Sequence, residues 1–317
     1  MIRDSFIQLS GSSLARDFVT RTPLKGMARR FVAGETLDDL TGALAEVNRE
    51  GMGGIANFLG ESVHDEAAAR QAASAYLRIL NRMERDSLDA YISVKFTALG
   101  QDISDAFLAQ NMAPVLDRAE ELGRFLRFDM EGSDYTQRTL DAFEKLWSKG
   151  RRNIGIVLQS YLRRTVGDVA RMNQLGASVR LCKGAYAEPA SIAFQEREEV
   201  NASFVECMRM LLWEGANPAI ATHDEAMIDA TVDFHQSKGI PKSDFSFQML
   251  YGVRRDLQQQ LANAGFRVSV YVPFGTHWYP YLMRRLAERP ANVLFLAGSV
   301  VKESPLGFLW PGKGRQG

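Results

Sequence analysis

With 317 residues the chain can hold one barrel of about 250 residues plus an extension. Its 38 Lys and Arg balance 38 Asp and Glu, which leaves no global charge to draw it to nucleic acid or an acidic membrane surface. The hydrophobic share of 46% and charged share of 24% are those of an ordinary globular chain, and the two cysteines, Cys182 and Cys207, are too few for a disulfide framework.

The segment from Met1 to Phe18 has charges at Arg3, Asp4, Arg16 and Asp17 and no apolar core of signal-peptide length. No stretch approaches the ~20 apolar residues of a membrane span, so a cytoplasmic protein is expected. The first fifty residues read as helical. Thr36 and Asp39 have capping-box spacing, and Leu37, Leu40, Leu44 and Val47 follow at helical intervals up to Gly51. A helical extension over 1–50 is therefore expected before a barrel over 51–300 and a tail over 301–317.

From Gly51 onward helix-period segments stop at a glycine and a β-rich run follows. The stops are Gly123, Gly150, Gly176, Gly215, Gly239 and Gly265, as a left-handed cap without a Cβ would require. The runs after them are Phe125–Met130, Ile154–Gln159, Ser178–Lys183, Ala219–Thr222, Phe245–Leu250 and Val268–Val272. Two earlier runs, Gly54–Leu59 and Ala90–Phe96, flank a helical stretch from Ala67 to Met83. Eight strands alternating with helices point to a parallel sheet, and to a closed (β/α)8 barrel of the TIM type before an open one. The dinucleotide-like spelling Gly51-Met-Gly53-Gly-Ile-Ala56 follows a helix instead of a strand, the wrong context for that motif.

A barrel of this kind carries its chemistry at the C-terminal ends of its strands. The runs end in Ser93-Val-Lys95, Asp129-Met-Glu131, Gln159, Arg180-Leu-Cys-Lys183-Gly184, Thr222-His223-Asp224, Gln248-Met-Leu250 and Tyr271. Tyr91, Ser93 and Lys95 alternate with Ile92 and Val94, which predicts a polar lumen. An arginine inside a strand, Arg180, needs an anionic partner or ligand. Each residue also has a plainer reading: Lys95 as a rim lysine, Asp129 as a helix cap, Thr222 to Asp224 as loop and cap. Four histidines without ligand spacing give no metal site. Tyr281, Arg284, Arg285 and Glu288 share a broad helical face, and paired guanidinium forks suit a planar carboxylate. The plainer reading is a solvated basic patch.

Taken in order, Ser93-Val-Lys-Phe-Thr-Ala-Leu, Asp129-Met-Glu, Gly155-Ile-Val-Leu-Gln-Ser-Tyr, Arg180-Leu-Cys-Lys-Gly-Ala-Tyr, Ala221-Thr-His-Asp, Phe245-Ser-Phe-Gln-Met-Leu-Tyr-Gly, Tyr271-Val-Pro-Phe-Gly and Tyr281-Leu-Met-Arg-Arg resemble the proline dehydrogenase family. Length and leader are similar to its short monofunctional bacterial form. The resemblance implies FAD as cofactor, L-proline as substrate, a quinone as electron acceptor and peripheral contact with the cell membrane. It assigns Lys95, Arg284 and Arg285 to the proline carboxylate, and Leu250, Tyr271 and Tyr281 to the walls around its ring. Asp129 would belong to the catalytic group beside Lys95, and Arg180 would sit near the reactive edge of the flavin. Met130, Gln159, Arg180, Lys183, Gly184, Ala185, Thr222 and His223 would hold FAD. Glu61 matches an acidic residue that pairs with the first arginine. Ala187 stands where long bifunctional relatives carry a tryptophan.

The last helix follows the eighth run through Pro273, Gly275 and Pro280, so it is expected over the barrel mouth, with Glu61 and Arg284 closing a gate above the substrate. Two other enzyme readings compete. One is a flavin barrel of the methylenetetrahydrofolate reductase kind, and the other a Schiff-base aldolase built on Lys95 or Lys183.

Overall fold

Thr36 starts the first described helix as its spacing predicts. Its hydroxyl accepts from the Asp39 backbone N–H at 3.1 Å, and Asp39 Oδ2 accepts from the Thr36 N–H at 2.9 Å. In this computed structural model residues 29–60 and 63–288 are described, with side chains to 285. Helix α1 (Leu37–Arg49) leads into β1 (Gly53–Phe58), followed by α2 (Glu66–Arg85) and β2 (Ala90–Val94). Next come α3 (Asp105–Glu121), β3 (Leu126–Phe128), α4 (Ser133–Ser148), β4 (Ile154–Gln159) and α5 (Thr165–Leu175). The chain continues through β5 (Ser178–Cys182), α6 (Arg197–Glu214), β6 (Ala219–Ala221) and α7 (Glu225–Lys238). The described residues end with β7 (Ser246–Leu250), α8 (Arg255–Asn263), β8 (Arg267–Phe274) and α9 (Trp278–Glu288).

All eight strands run parallel in chain order and β8 pairs back onto β1, closing the barrel. Every strand lies within two residues of the bounds read from the sequence. The expected fold class is therefore the observed one. Gly51 ends α1 and Gly53 opens β1, so the glycine-rich spelling joins a helix to a strand.

Five of the six glycine stops adopt the left-handed conformation, with φ of 60° at Gly123, 91° at Gly150, 69° at Gly176, 64° at Gly239 and 82° at Gly265. Gly215 does not. Its backbone is extended (φ −83°, ψ 158°), and a Cβ there would lie 2.5 Å from the Leu211 carbonyl oxygen. Crowding by the last helical turn explains that glycine, and the left-handed residue comes two positions later at Asn217 (φ 47°).

The core forms between the strands and their wall helices. Outward residues such as Ile92, Val94, Leu126, Phe128, Val179 and Leu181 are fully buried there. Helix α1 belongs to this wall. Leu40, Leu44 and Val47 join the same core, and the helix packs on both β1 and β8. Asn48 bridges the Met52 and Asp89 carbonyls at 3.0 and 2.9 Å, and Arg255 at the start of α8 pairs with Glu46 at 2.8 Å. It thus fills the wall position between β8 and β1 that an eighth barrel helix would otherwise take. The sequence assigned it to an extension ending at 50. By contacts, residues Ala33–Thr276 form one compact unit that includes it, and α9 belongs to a second unit.

Candidate active site

Strand register decides which side chains share the lumen. Ser93 pairs with Arg127, Arg127 with Gly155, and Gly155 with Ser178 around four neighbouring strands. On the far side Gln248 lies beside Ser269, and Leu250 beside Tyr271. Gly155 makes this layer possible. A Cβ on it would meet the Phe125 ring at 2.6 Å and Arg127 Nη1 at 3.0 Å, so only glycine leaves room for that guanidinium.

The densest part of the lumen centres on an ion pair between Arg180 Nη1 and Asp129 Oδ1 at 2.9 Å, both side chains buried. The Ser93 hydroxyl donates to the same Oδ1 at 2.6 Å, and the Tyr271 hydroxyl donates to Oδ2 at 2.7 Å. Arg180 Nε donates to Gln248 Oε1 at 2.5 Å and Nη2 to the Tyr91 oxygen at 3.2 Å. Its guanidinium also lies 5.4 Å from the Tyr271 ring centroid. Burial alone would weaken the Arg180 charge, but Tyr91, Asp129 and Tyr271 outweigh it and hold the guanidinium above its usual basicity. The result is a fixed cation with its carboxylate, oriented from five strands. Lys95, just after β2, is buried.

A second arc follows on β3 to β6. Gln159 Nε2 donates to the carbonyls of Met130 at 2.9 Å and Glu131 at 3.1 Å. Lys183 Nζ is held by Asp224 at 2.7 Å and Asn201 at 2.6 Å. Burial would raise the Asp224 carboxyl, but bonds from Lys183 and then Arg197 bring it below the ordinary carboxylate range. An ammonium clasped by a carboxylate is not the neutral amine that a Schiff base needs, which counts against Lys183 as an aldolase nucleophile. Gly184 has φ of 106°, and a Cβ would strike the Tyr161 ring at 2.2 Å. Ala185 follows it in the same loop. Thr222 accepts from the Asp224 N–H at 3.1 Å, and His223 Nε2 accepts from the Leu250 N–H at 2.9 Å, placing the imidazole proton on Nδ1.

The structure thus places the substrate-side candidates Lys95, Asp129, Arg180, Leu250 and Tyr271 and the cofactor-side candidates Met130, Gln159, Lys183, Gly184, Ala185, Thr222 and His223 on or just after the strands of one barrel. Tyr281, Arg284 and Arg285 lie on α9, where the Arg285 guanidinium sits 5.1 Å from the Tyr281 ring centroid. Glu61 lies outside the described residues, so the gate expected between it and Arg284 does too. Among the described residues no cluster of His, Cys, Asp and Glu is placed to hold a metal, and no helix is long and apolar enough to cross a membrane.

Three residues of the network were not singled out as site residues. In the sequence Gln248 shows only as a polar strand end, and Tyr91 only as a partner in alternation. Arg127 donates to the carbonyls of Ile156 at 3.2 Å and Ser178 at 3.1 Å and to the Ser178 hydroxyl at 3.1 Å. Its signal was the one that exposed Arg180, a charge inside a strand.

A sequence model of the proline dehydrogenase family matches residues 40–298. This chain belongs to the proline dehydrogenase family. It is 36% identical to a proline dehydrogenase of Deinococcus radiodurans over 288 residues, 90% of this chain and 93% of the relative. Against proline dehydrogenase 1 of Bacillus subtilis subsp. natto it is 34% identical over 303 residues, 96% of this chain and all of the relative. Among solved structures, proline utilization A of Bdellovibrio bacteriovorus inactivated by N-propargylglycine superposes with a TM-score of 0.80 at 25% identity. The match covers 98% of this chain and 39% of that longer one. The match runs over nearly the whole length of these short relatives, and the chain is an oxidoreductase of that family.

Proposed function

We propose that this enzyme uses FAD to oxidise L-proline to 1-pyrroline-5-carboxylate, with electrons passing on to a quinone during peripheral contact with a membrane. The observation that carries the reading is the buried Arg180–Asp129 pair, fixed from β2, β7 and β8 at the catalytic end of a family barrel.

The residues present fit the cofactor. Gln159 Oε1 is buried without a hydrogen-bond partner, a costly state for an amide oxygen. A ring N–H such as the one on the flavin pyrimidine would satisfy it. The lysine, glycine turn, threonine and histidine on the adjoining strand ends supply donors and a close backbone approach for the rest of the molecule. FAD, when bound, supplies the hydride acceptor at flavin N5.

The protein's share is orientation and charge. Lys95, Arg284 and Arg285 hold the proline carboxylate, which fixes the carbon beside the ring nitrogen for hydride loss. Leu250, Tyr271 and Tyr281 wall the pyrrolidine ring. Asp129, locked by three hydrogen bonds, faces the substrate as a carboxylate of set orientation, and Arg180 supplies a permanent positive field at the reacting edge. A gate of Glu61 and Arg284 that excludes water from bound proline belongs to the same reading, and Glu61 lies outside the described residues.

The test is the visible spectrum of purified protein, before and after L-proline is added without oxygen. A flavin spectrum that bleaches on addition is expected. Folded yellow protein that stays oxidised under excess proline would sink the activity, and well-folded protein without flavin would sink the cofactor as well.

A further inference from the structure

The phenol of Tyr91 lies deep in the lumen, where its only hydrogen bonds come from donors. Gln248 Nε2 donates to its oxygen at 2.9 Å and Arg180 Nη2 at 3.2 Å. The Arg127 guanidinium faces it from β3, and the edge of the ring meets Phe125 at 5.3 Å. Among the described residues nothing accepts the phenol's own proton. The Tyr91 side chain as a whole is half-buried.

Charge in this layer is out of balance without it. Arg127 and Arg180 are two fixed cations, and of the two it is Arg180 that the carboxylate of Asp129 pairs with. Arg127 donates to two carbonyls and a serine hydroxyl, and no carboxylate bonds to it among the described residues. Arginine keeps its proton in proteins, so the neighbourhood has to supply the missing anion.

We propose that Tyr91 is a positioning residue for the reaction: its oxygen bears the negative charge that faces Arg127 and, as a shared acceptor for Gln248 and Arg180, sets the angle at which Arg180 presents its guanidinium. Electrostatics agree with the geometry. Burial alone would make the phenol a weaker acid, but Arg180 and then Arg127 outweigh burial and bring it below the usual tyrosine value. Burial also pulls Arg127 down to about 10, partly offset by Tyr91, which marks its charge as one that needs a counter-ion. The remaining groups facing this layer are Asp129 from β3, Lys95 and Ser93 from β2, and Tyr271 from β8, whose proton is already committed to Asp129. Of these hydroxyls, those of Ser93 and Tyr271 donate to Asp129, so Tyr91 is the one whose loss of a proton to water gives an anion without breaking a hydrogen bond.

This inference rests on the proposed place of Arg180 at the reacting edge, but its first test does not. Phenolate formation is followed by ultraviolet difference absorbance during an alkaline titration of the intact holoprotein, which has nine tyrosines. One tyrosine of wild type is expected to ionise ahead of the other eight, and that early step is absent from Tyr91→Phe. No early step in wild type, or the same early step in the variant, overturns the proposal whether or not the enzyme oxidises proline. In kinetics, Tyr91→Phe should lower kcat about tenfold with little change in the KM for proline, the effect of one lost hydrogen bond to a charged group. It should also remove the pH dependence that follows the titrated step. A variant with unchanged kcat and an unchanged pH profile overturns the positioning role even if the early ionisation is seen.

Discussion

Along β2, β3 and β5 the outward residues are Ile92, Val94, Leu126, Phe128, Val179 and Leu181, and all are packed in the core. One position along, the inward residues are Tyr91, Ser93, Arg127, Ser178 and Arg180, and all are hydrogen-bonded to partners on other strands. The same strands thus obey two chemistries with a period of two. The outer face lowers free energy by removing apolar surface from water. The inner face contributes little of that kind and holds its buried charges through hydrogen bonds, with Arg127 Nε left without one. Mutations on the two faces should therefore fail differently, one in stability and the other in function.

The largest effect is expected outside. Phe128 is fully buried, stacked on Phe96 with ring centroids 4.2 Å apart and edge-on to Phe143. Phe128→Ala should cost about 3–5 kcal/mol of unfolding free energy. Denaturant titration measures it, and the fraction that stays folded should turn over at a rate close to wild type. A normal midpoint, or a folded protein without activity, would break the division of labour between the faces.

On the substrate side, Arg284→Met and Arg285→Met should each raise the KM for proline ten- to hundredfold, about 1.5–3 kcal/mol, while flavin content stays near wild type. Steady-state kinetics with a flavin assay separate the two. Near-normal KM in both variants would return the pair to a basic surface patch.

Gln248→Leu sharpens the comparison further. It keeps the volume but deletes the acceptor for Arg180 Nε and the donor to Tyr91. A loss of about 1–3 kcal/mol in transition-state stabilisation is expected, read in kcat/KM, with less damage to the thermal midpoint than Phe128→Ala. Equal damage to both quantities would mean that the inner network serves mainly as scaffold.

How much of this was legible beforehand follows from the range of each signal. Strands and helices were readable because glycine caps and hydrophobic periods are local, as at Gly123, Gly176 and Gly239. Gly215 was readable as a stop but not for its reason, since crowding against Leu211 O needs coordinates. Arg180 and Asp129 stood out as charged strand ends, but their pairing across 51 residues depends on register, which no local pattern encodes. Gln248 and Tyr91 lie 157 positions apart and look ordinary in isolation. The wall position of α1 was hidden for the same reason, because Glu46 and Arg255 meet across 209 positions.

The smallest effect belongs to the rim, between the two faces. Asp224 caps α7 through the Ala226 N–H and holds both Lys183 and Arg197, the latter well exposed. Asp224→Asn retains a capping side chain, so the substitution removes charge and little else. Because the folded carboxyl titrates below its usual value, its contribution to stability is fully present above the unfolded value near pH ~3.9 and is lost as pH falls through the folded one. The variant should be less stable by about 0–1 kcal/mol between pH ~5 and ~8, the range for ion pairs partly open to solvent. That gap should narrow as pH falls below ~4 and close once pH has passed the lowered folded value, where the wild-type carboxyl is neutral too. Paired denaturant titrations across this range measure it. A gap that persists in acid would mean that Asp224 acts through its cap and its packing, and that Lys183 is positioned without it.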